Sequence, residues 1–126
     1  LGKQVGDFAI VSALYIPRVS EKIFAAISGC TTLDVAQAKA MILLETFSVA
    51  SVIKAVDLAV KEADIEVPRI HVAMAVGGKG FAVLTGDDES LKSAIVPALD
   101  FLKDDGSLAG YALITNPHPD LLRDIL

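Results

Sequence analysis

The 126-residue chain holds no tryptophan, one cysteine and two methionines, and aromatic residues make up only 6% of it. A single cysteine, Cys30, cannot close a disulfide or build a zinc cluster within one chain, so a reducing cytoplasm is the compartment that fits best. Basic residues are scarce: 11 Lys and Arg face 16 Asp and Glu, a net charge of −5. Neutralising phosphates needs the opposite balance, which argues against nucleic acid and against an anionic membrane as partners. Long apolar runs are missing too. None, residues 40–44 included, passes five residues, against the ~20 that cross a bilayer. No signal peptide is visible. The chain opens on Leu1-Gly2-Lys3-Gln4 without an initiator Met, as the tail of something longer would.

Apolar residues are abundant, at 53% against 21% charged. That composition folds, and the length suits one core. So much apolar surface in so small a chain also points to a partner subunit.

Residues 40–44 form an apolar run of the kind found in buried strands. Ser48 is placed to cap the helix that follows. Val49, Val52, Ile53, Val56 and Val60 recur on one helical face, with Lys54, Asp57 and Lys61 on the other side. Pro68 ends that helix, which is expected to stop near Asp64. Ile70, Val72, Met74 and Val76 alternate with His71, Ala73 and Ala75, which predicts a half-buried strand. Gly77, Gly78, Lys79 and Gly80 break it, and residues 81–84 resume a strand, giving a hairpin around a glycine loop. Asp87 or Asp88 caps a second helix whose apolar face is Leu91, Ile95, Ala98, Leu99 and Leu102; Pro97 is expected to kink or shorten it. Asp104-Asp105-Gly106 stops it. A fourth strand over residues 108–114 and a short terminal helix through Leu126 complete the chain. The order β-α-β-β-α-β predicts an α+β, ferredoxin-like split βαβ: a four-stranded antiparallel sheet with helices on one face.

An internal repeat precedes this unit. Residues 6–17 lie over residues 106–117 without gaps, matching at Gly6, Ala9 and Pro17, and each stretch leads from its proline into a short helical pattern, residues 20–27 and 120–126. Residues 1–27 therefore read as the end of an upstream copy. The domain boundaries expected are 1–37 for that tail with its linker and 38–126 for the complete domain.

Catalytic signatures are absent. The glycine loop fails the Walker pattern, because position 73 is Ala, position 80 is Gly and a strand follows it. It also fails the dinucleotide pattern, since Gly78-Lys79-Gly80 leads to Val83. His71 and His118 have no Cys, Asp or Glu at metal-ligand spacing, and nothing offers Cys30 a base. Asp87, Asp88 and Glu89 suit a helix start. No enzyme and no metal site is expected.

Several stretches nevertheless resemble one family, the shell proteins of bacterial microcompartments. Residues 40–50, with Glu45-Thr46 before a small-residue-rich helix, are similar to its opening strand. Asp57-Leu-Ala-Val-Lys61 resembles its Asp-x-x-x-Lys helix end, and Thr85-Gly86-Asp87 its Gly-Asp turn. Asn116-Pro117-His118-Pro119 is similar to its Pro-Arg-Pro-His segment, with the Arg missing. Residues 26–29, 45–50, 69–73 and 77–79 also resemble the second half of the trimeric, tandem-domain shell proteins of propanediol-utilising compartments.

The resemblance implies a structural subunit that builds trimeric or hexameric, (pseudo)hexagonal rings with itself and joins other shell proteins in the compartment shell. By the same resemblance Gly77, Gly78, Lys79 and Gly80 line a central pore for small metabolites. Glycines there let backbone amides approach the axis, and a lysine adds positive potential. Asp57, Lys61, Asn116 and His118 are implied at contacts between rings. The iron–sulfur cluster of that branch would need a pore-loop cysteine in a first domain. No residue here matches it, and Cys30 lies in the linker, so no cofactor is expected. A small ligand-binding regulatory domain is the alternative that the same architecture allows.

Overall fold

The computed structural model describes residues 16, 18–28, 38–72, 79–118 and 120–121. Cys30, Gly77, Gly78 and the segments 6–15 and 122–126 lie outside the described residues.

The elements run α1 (Glu21–Ser28), β1 (Ala40–Thr46), α2 (Val49–Glu62), β2 (Glu66–Val72), β3 (Gly80–Gly86), α3 (Asp88–Asp105) and β4 (Leu108–Thr115). The four strands form one antiparallel sheet of order β2-β3-β1-β4, which is the split βαβ arrangement. Strand pleating sorts the side chains. Ala40, Ile42 and Leu44 of β1 and Ala82 and Leu84 of β3 face a core shared with Val52, Val56 and Ala59 of α2 and Leu91, Ala98 and Leu102 of α3. Met41 and Val83, one residue out of phase, are buried on the other face with Leu43, Phe81 and Ile114 around them.

The helix ends obey their caps. Ser48 accepts from Ser51 N at the start of α2, and Asp87 accepts from Ser90 N at 2.8 Å at the start of α3. Gly106, at φ 73°, closes α3 in the left-handed conformation that glycine adopts without strain. Helix α1 packs on β2 and α2, and its Ile23 and Ala26 belong to the main core.

The structure departs from the sequence expectation in three places. Helix α3 is not shortened by Pro97: it runs 18 residues through it. Pro97 has no N–H to give the carbonyl of Ser93, an exposed residue at which water can supply the missing donor. Strand β2 begins at Glu66 and takes in Pro68, earlier than the Ile70 start expected. Pro68 is tolerated because β2 is an edge strand and its register shifts between Glu66 and Arg69. The part of the expected strand beyond Val72 lies outside the described residues. Asp57, assigned to the solvated side of α2, is 1% exposed, because the chain entering α1 covers it.

Candidate functional site

The residues singled out from the sequence fall into three places, with His71 apart from them. The first is the outer end of α2. Asp57 and Lys61 are one turn apart, and Lys61 Nζ lies 2.6 Å from Asp57 Oδ2. The other carboxylate oxygen, Oδ1, accepts from Ser20 N at 2.8 Å. Asp57 is therefore consumed by internal partners, and of this pair it is the half-exposed Lys61 that is presented outward.

The second place is the exit of β4. Asn116, exposed and at φ 49°, donates its N–H to the Lys39 carbonyl at 2.8 Å. Asparagine tolerates this left-handed turn better than most side chains. Exposed His118 follows, with its Nδ1 accepting from Asp120 N at 3.1 Å.

Of the glycine loop, Lys79 and Gly80 are described. Lys79 is exposed, with Nζ 5.9 Å from the centre of the Phe47 ring, at the edge of cation–π range. Gly80 is buried opposite Thr46, where a Cβ would stand 2.5 Å from Val52 Cγ1 and 2.8 Å from Thr46 Oγ1. The close approach of α2 to β3 thus requires glycine at this position whatever the loop before it does. His71 stands on β2 with its ring 5.6 Å from that of Phe81.

Sequence reasoning missed three features. Lys22 of α1 reaches the Ile65 carbonyl at 2.6 Å and lies 3.4 Å from Glu66 and 3.8 Å from Asp64. A lysine in a short helical pattern gives no hint of so distant a partner. Ser51, Asp105 and Ser107 form a knot between the first turn of α2 and the start of β4. Ser51 Oγ donates to Asp105 at 2.9 Å and sits 2.9 Å from Ser107 Oγ, and Ser107 Oγ also donates to Asp105. The Ser107 and Ser51 hydrogen bonds hold the Asp105 carboxyl below the usual carboxylate value. Last, Tyr111 of β4 is 50% exposed on a strand with no charged residue. Among the described residues no group of three His, Cys, Asp or Glu comes together as a metal site would, and no helix is long and apolar enough to cross a membrane.

A split βαβ sheet backed by two helices, with a helix of the preceding segment sealing its β2 side, is the frame that carries these residues. Residues 40–117 match the family described as the BMC domain, and the chain belongs to that family. It is 31% identical over 125 residues to the bacterial microcompartment shell protein PduT of Citrobacter freundii, covering 99% of this chain and 67% of that one. It also resembles the crystal structure of a microcompartments protein from Desulfitobacterium hafniense DCB, at a TM-score of 0.84 and 34% identity, over 97% of this chain and 67% of the other.

Proposed function

We propose that this protein is a structural subunit of a bacterial microcompartment shell, not an enzyme, and that its domains close into (pseudo)hexameric rings, as trimers or hexamers. Residues 1–37 are the tail and linker of an upstream copy of the same fold, and 38–126 the complete domain. The loop of Gly77, Gly78, Lys79 and Gly80 lines a pore on the ring axis through which small metabolites pass. Lys61, braced by Asp57, meets neighbouring rings of the same or other shell proteins, with Asn116 and His118 facing it.

Family membership supports the shell role. The observation that carries the ring is β4: eight residues without a charge, paired on one side with β1 and carrying half-exposed Tyr111. Sheet edges that are meant to stay in water are guarded by charge, proline or a bulge; this one has no charge and no proline, and its register shift is confined to its first residues, beside Glu45 and Thr46. A ring buries such an edge at every repeat. Sedimentation velocity at micromolar concentration, with negative-stain imaging, is expected to show closed rings; a monomer would sink the assembly. Lys61→Ala is expected to leave rings intact and abolish their sheets.

A further inference from the structure

Cations held against this fold are matched to acids, with one exception. Lys61 lies 2.6 Å from Asp57, Lys92 2.7 Å from Asp88 and Lys22 3.4 Å from Glu66. Arg69 of β2 has no such acid among the described residues, and its Nε is buried with no hydrogen-bond partner. The chain carries 16 Asp and Glu, so a shortage of carboxylates does not explain the gap. A guanidinium drawn out of water without an acceptor is costly, and a bound anion removes that cost.

The backbone aims this side chain. Ile70 pairs with Ala82 and lies in the core shared with the helices. Its neighbours Arg69 and His71 therefore stand on the other face of the sheet, beside Val83 and Phe81. The register of β2 shifts between Glu66 and Arg69, with buried Pro68 just before the arginine. Such a shift on an edge strand re-aims the residue that follows it. His71 is two positions on, about 7 Å along the strand, with its ring tilted 45° to Phe81 at 5.6 Å. Its imidazole makes no hydrogen bond among the described residues, and both side chains are half-buried, so the pair is held in place and still reached by solvent. An acid on the same face, Glu45, is exposed and stands across Phe81 from His71.

We infer that Arg69 and His71 form a binding site for a small oxyanion, a carboxylate or a phosphate. The guanidinium fork offers two N–H groups to two oxygens of one head group. The His71 N–H supplies a further donor, and the Phe81 ring is an apolar wall for a short hydrocarbon body. Glu45 beyond that ring repels a second negative charge, so the ligand carries a single anionic head. The site uses residues of one domain only and is independent of the ring and of the pore.

The test titrates the full chain with inorganic phosphate and, separately, with acetate, at fixed pH and with ionic strength held by chloride. The Arg69 Nε–H and His71 ring resonances are followed by NMR, and the melting temperature by circular dichroism. Both resonances are expected to move along one saturating curve in the millimolar range, and the melting temperature to rise with the anion. Arg69→Lys, which keeps the charge and loses the fork, is expected to weaken binding about tenfold. His71→Gln should weaken it about threefold. Arg69→Gln is expected to abolish the saturation and the anion-dependent rise in melting temperature together. An equal response to chloride alone overturns the site, as does a saturating curve that survives Arg69→Gln. If Arg69→Gln does not fold, undiminished affinity in Arg69→Lys overturns it instead. Resonances that move with protein concentration and ignore both anions assign the acceptor to a carboxylate of a neighbouring molecule, which also overturns the small-ligand site.

Discussion

The two edges of the sheet are finished in opposite ways. Along β2 the sequence Glu-Val-Pro-Arg-Ile-His-Val supplies charge, a proline and a register shift, and α1 lies over it with Ile23 and Ala26 in the core. Along β4 the sequence Leu-Ala-Gly-Tyr-Ala-Leu-Ile-Thr supplies neither charge nor proline, its register shift is confined to the end beside Glu45 and Thr46, and half of its residues are exposed. Beyond its ladder with β1, β4 is held at its ends, by the Ser51–Asp105–Ser107 knot before it and the Asn116–Lys39 hydrogen bond after it. One edge is closed by the chain's own packing. The other is pinned at both ends and left plain between them, which is the condition in which a strand can accept a neighbour without first rearranging.

The comparison breaks most readily at its most buried point. Ile23→Ala is expected to cost about 2–5 kcal/mol by urea unfolding, whereas Tyr111→Ala on the plain edge should stay within about 0.5 kcal/mol in the dissociated protomer. Equal losses would mean that β4 is as fully packed as β2. Next in size is the junction beneath α2. Gly80→Ala drives a Cβ into Val52 and Thr46, at about 1–3 kcal/mol. Adding Val52→Ala should recover part of that, a coupling that a double-mutant cycle reads directly.

Asp57→Ala strips the anchor from Ser20 and should cost about 1–2 kcal/mol, close to the loss of a helix cap. Faster hydrogen exchange of α1 amides, with β4 amides unchanged, would localise the damage to the covered edge. The smallest effect belongs to the pin of β4. Hydrogen bonds from Ser107 and Ser51 lower the Asp105 pKa from the ordinary 3.8. A carboxyl lowered on folding adds stability that is present above 3.8 and is lost as pH falls from there through the folded value. Asp105→Asn should flatten the acid limb of the stability curve below pH 3.8 and leave the neutral limb parallel.

Much of this architecture was legible in local pattern. Ser48 and Asp87 announced the helix starts by residue type and position, and the buried side of α3 followed from spacing alone; on α2 spacing found Val52 and Val56 but not Ser51, Ala55 and Ala59, which complete its buried side with Asp57. What spacing could not carry was contact between distant segments. Asp57 looked solvated because its own helix is amphipathic, and only the arrival of Ser20, 37 residues away, buries it. Pro97 looked disruptive because a helix is read as if every carbonyl needed its own amide, while an exposed carbonyl has water instead. Gly80 was read as part of a loop by its run of neighbours, yet its own constraint comes from Val52 on α2.

The insertion of α1 also bears on how this protein can be cut. The BMC match begins at residue 40, and an excision made there would discard Ile23 and Ala26, side chains with 1% and 0% exposure. The product would keep every strand and both covering helices and still have an open furrow along β2, apolar and facing water. Such a fragment invites aggregation for a reason unrelated to its own sequence. The boundary that the family match draws is a boundary of descent, and here the unit that keeps itself dry includes α1, which lies about twenty residues earlier.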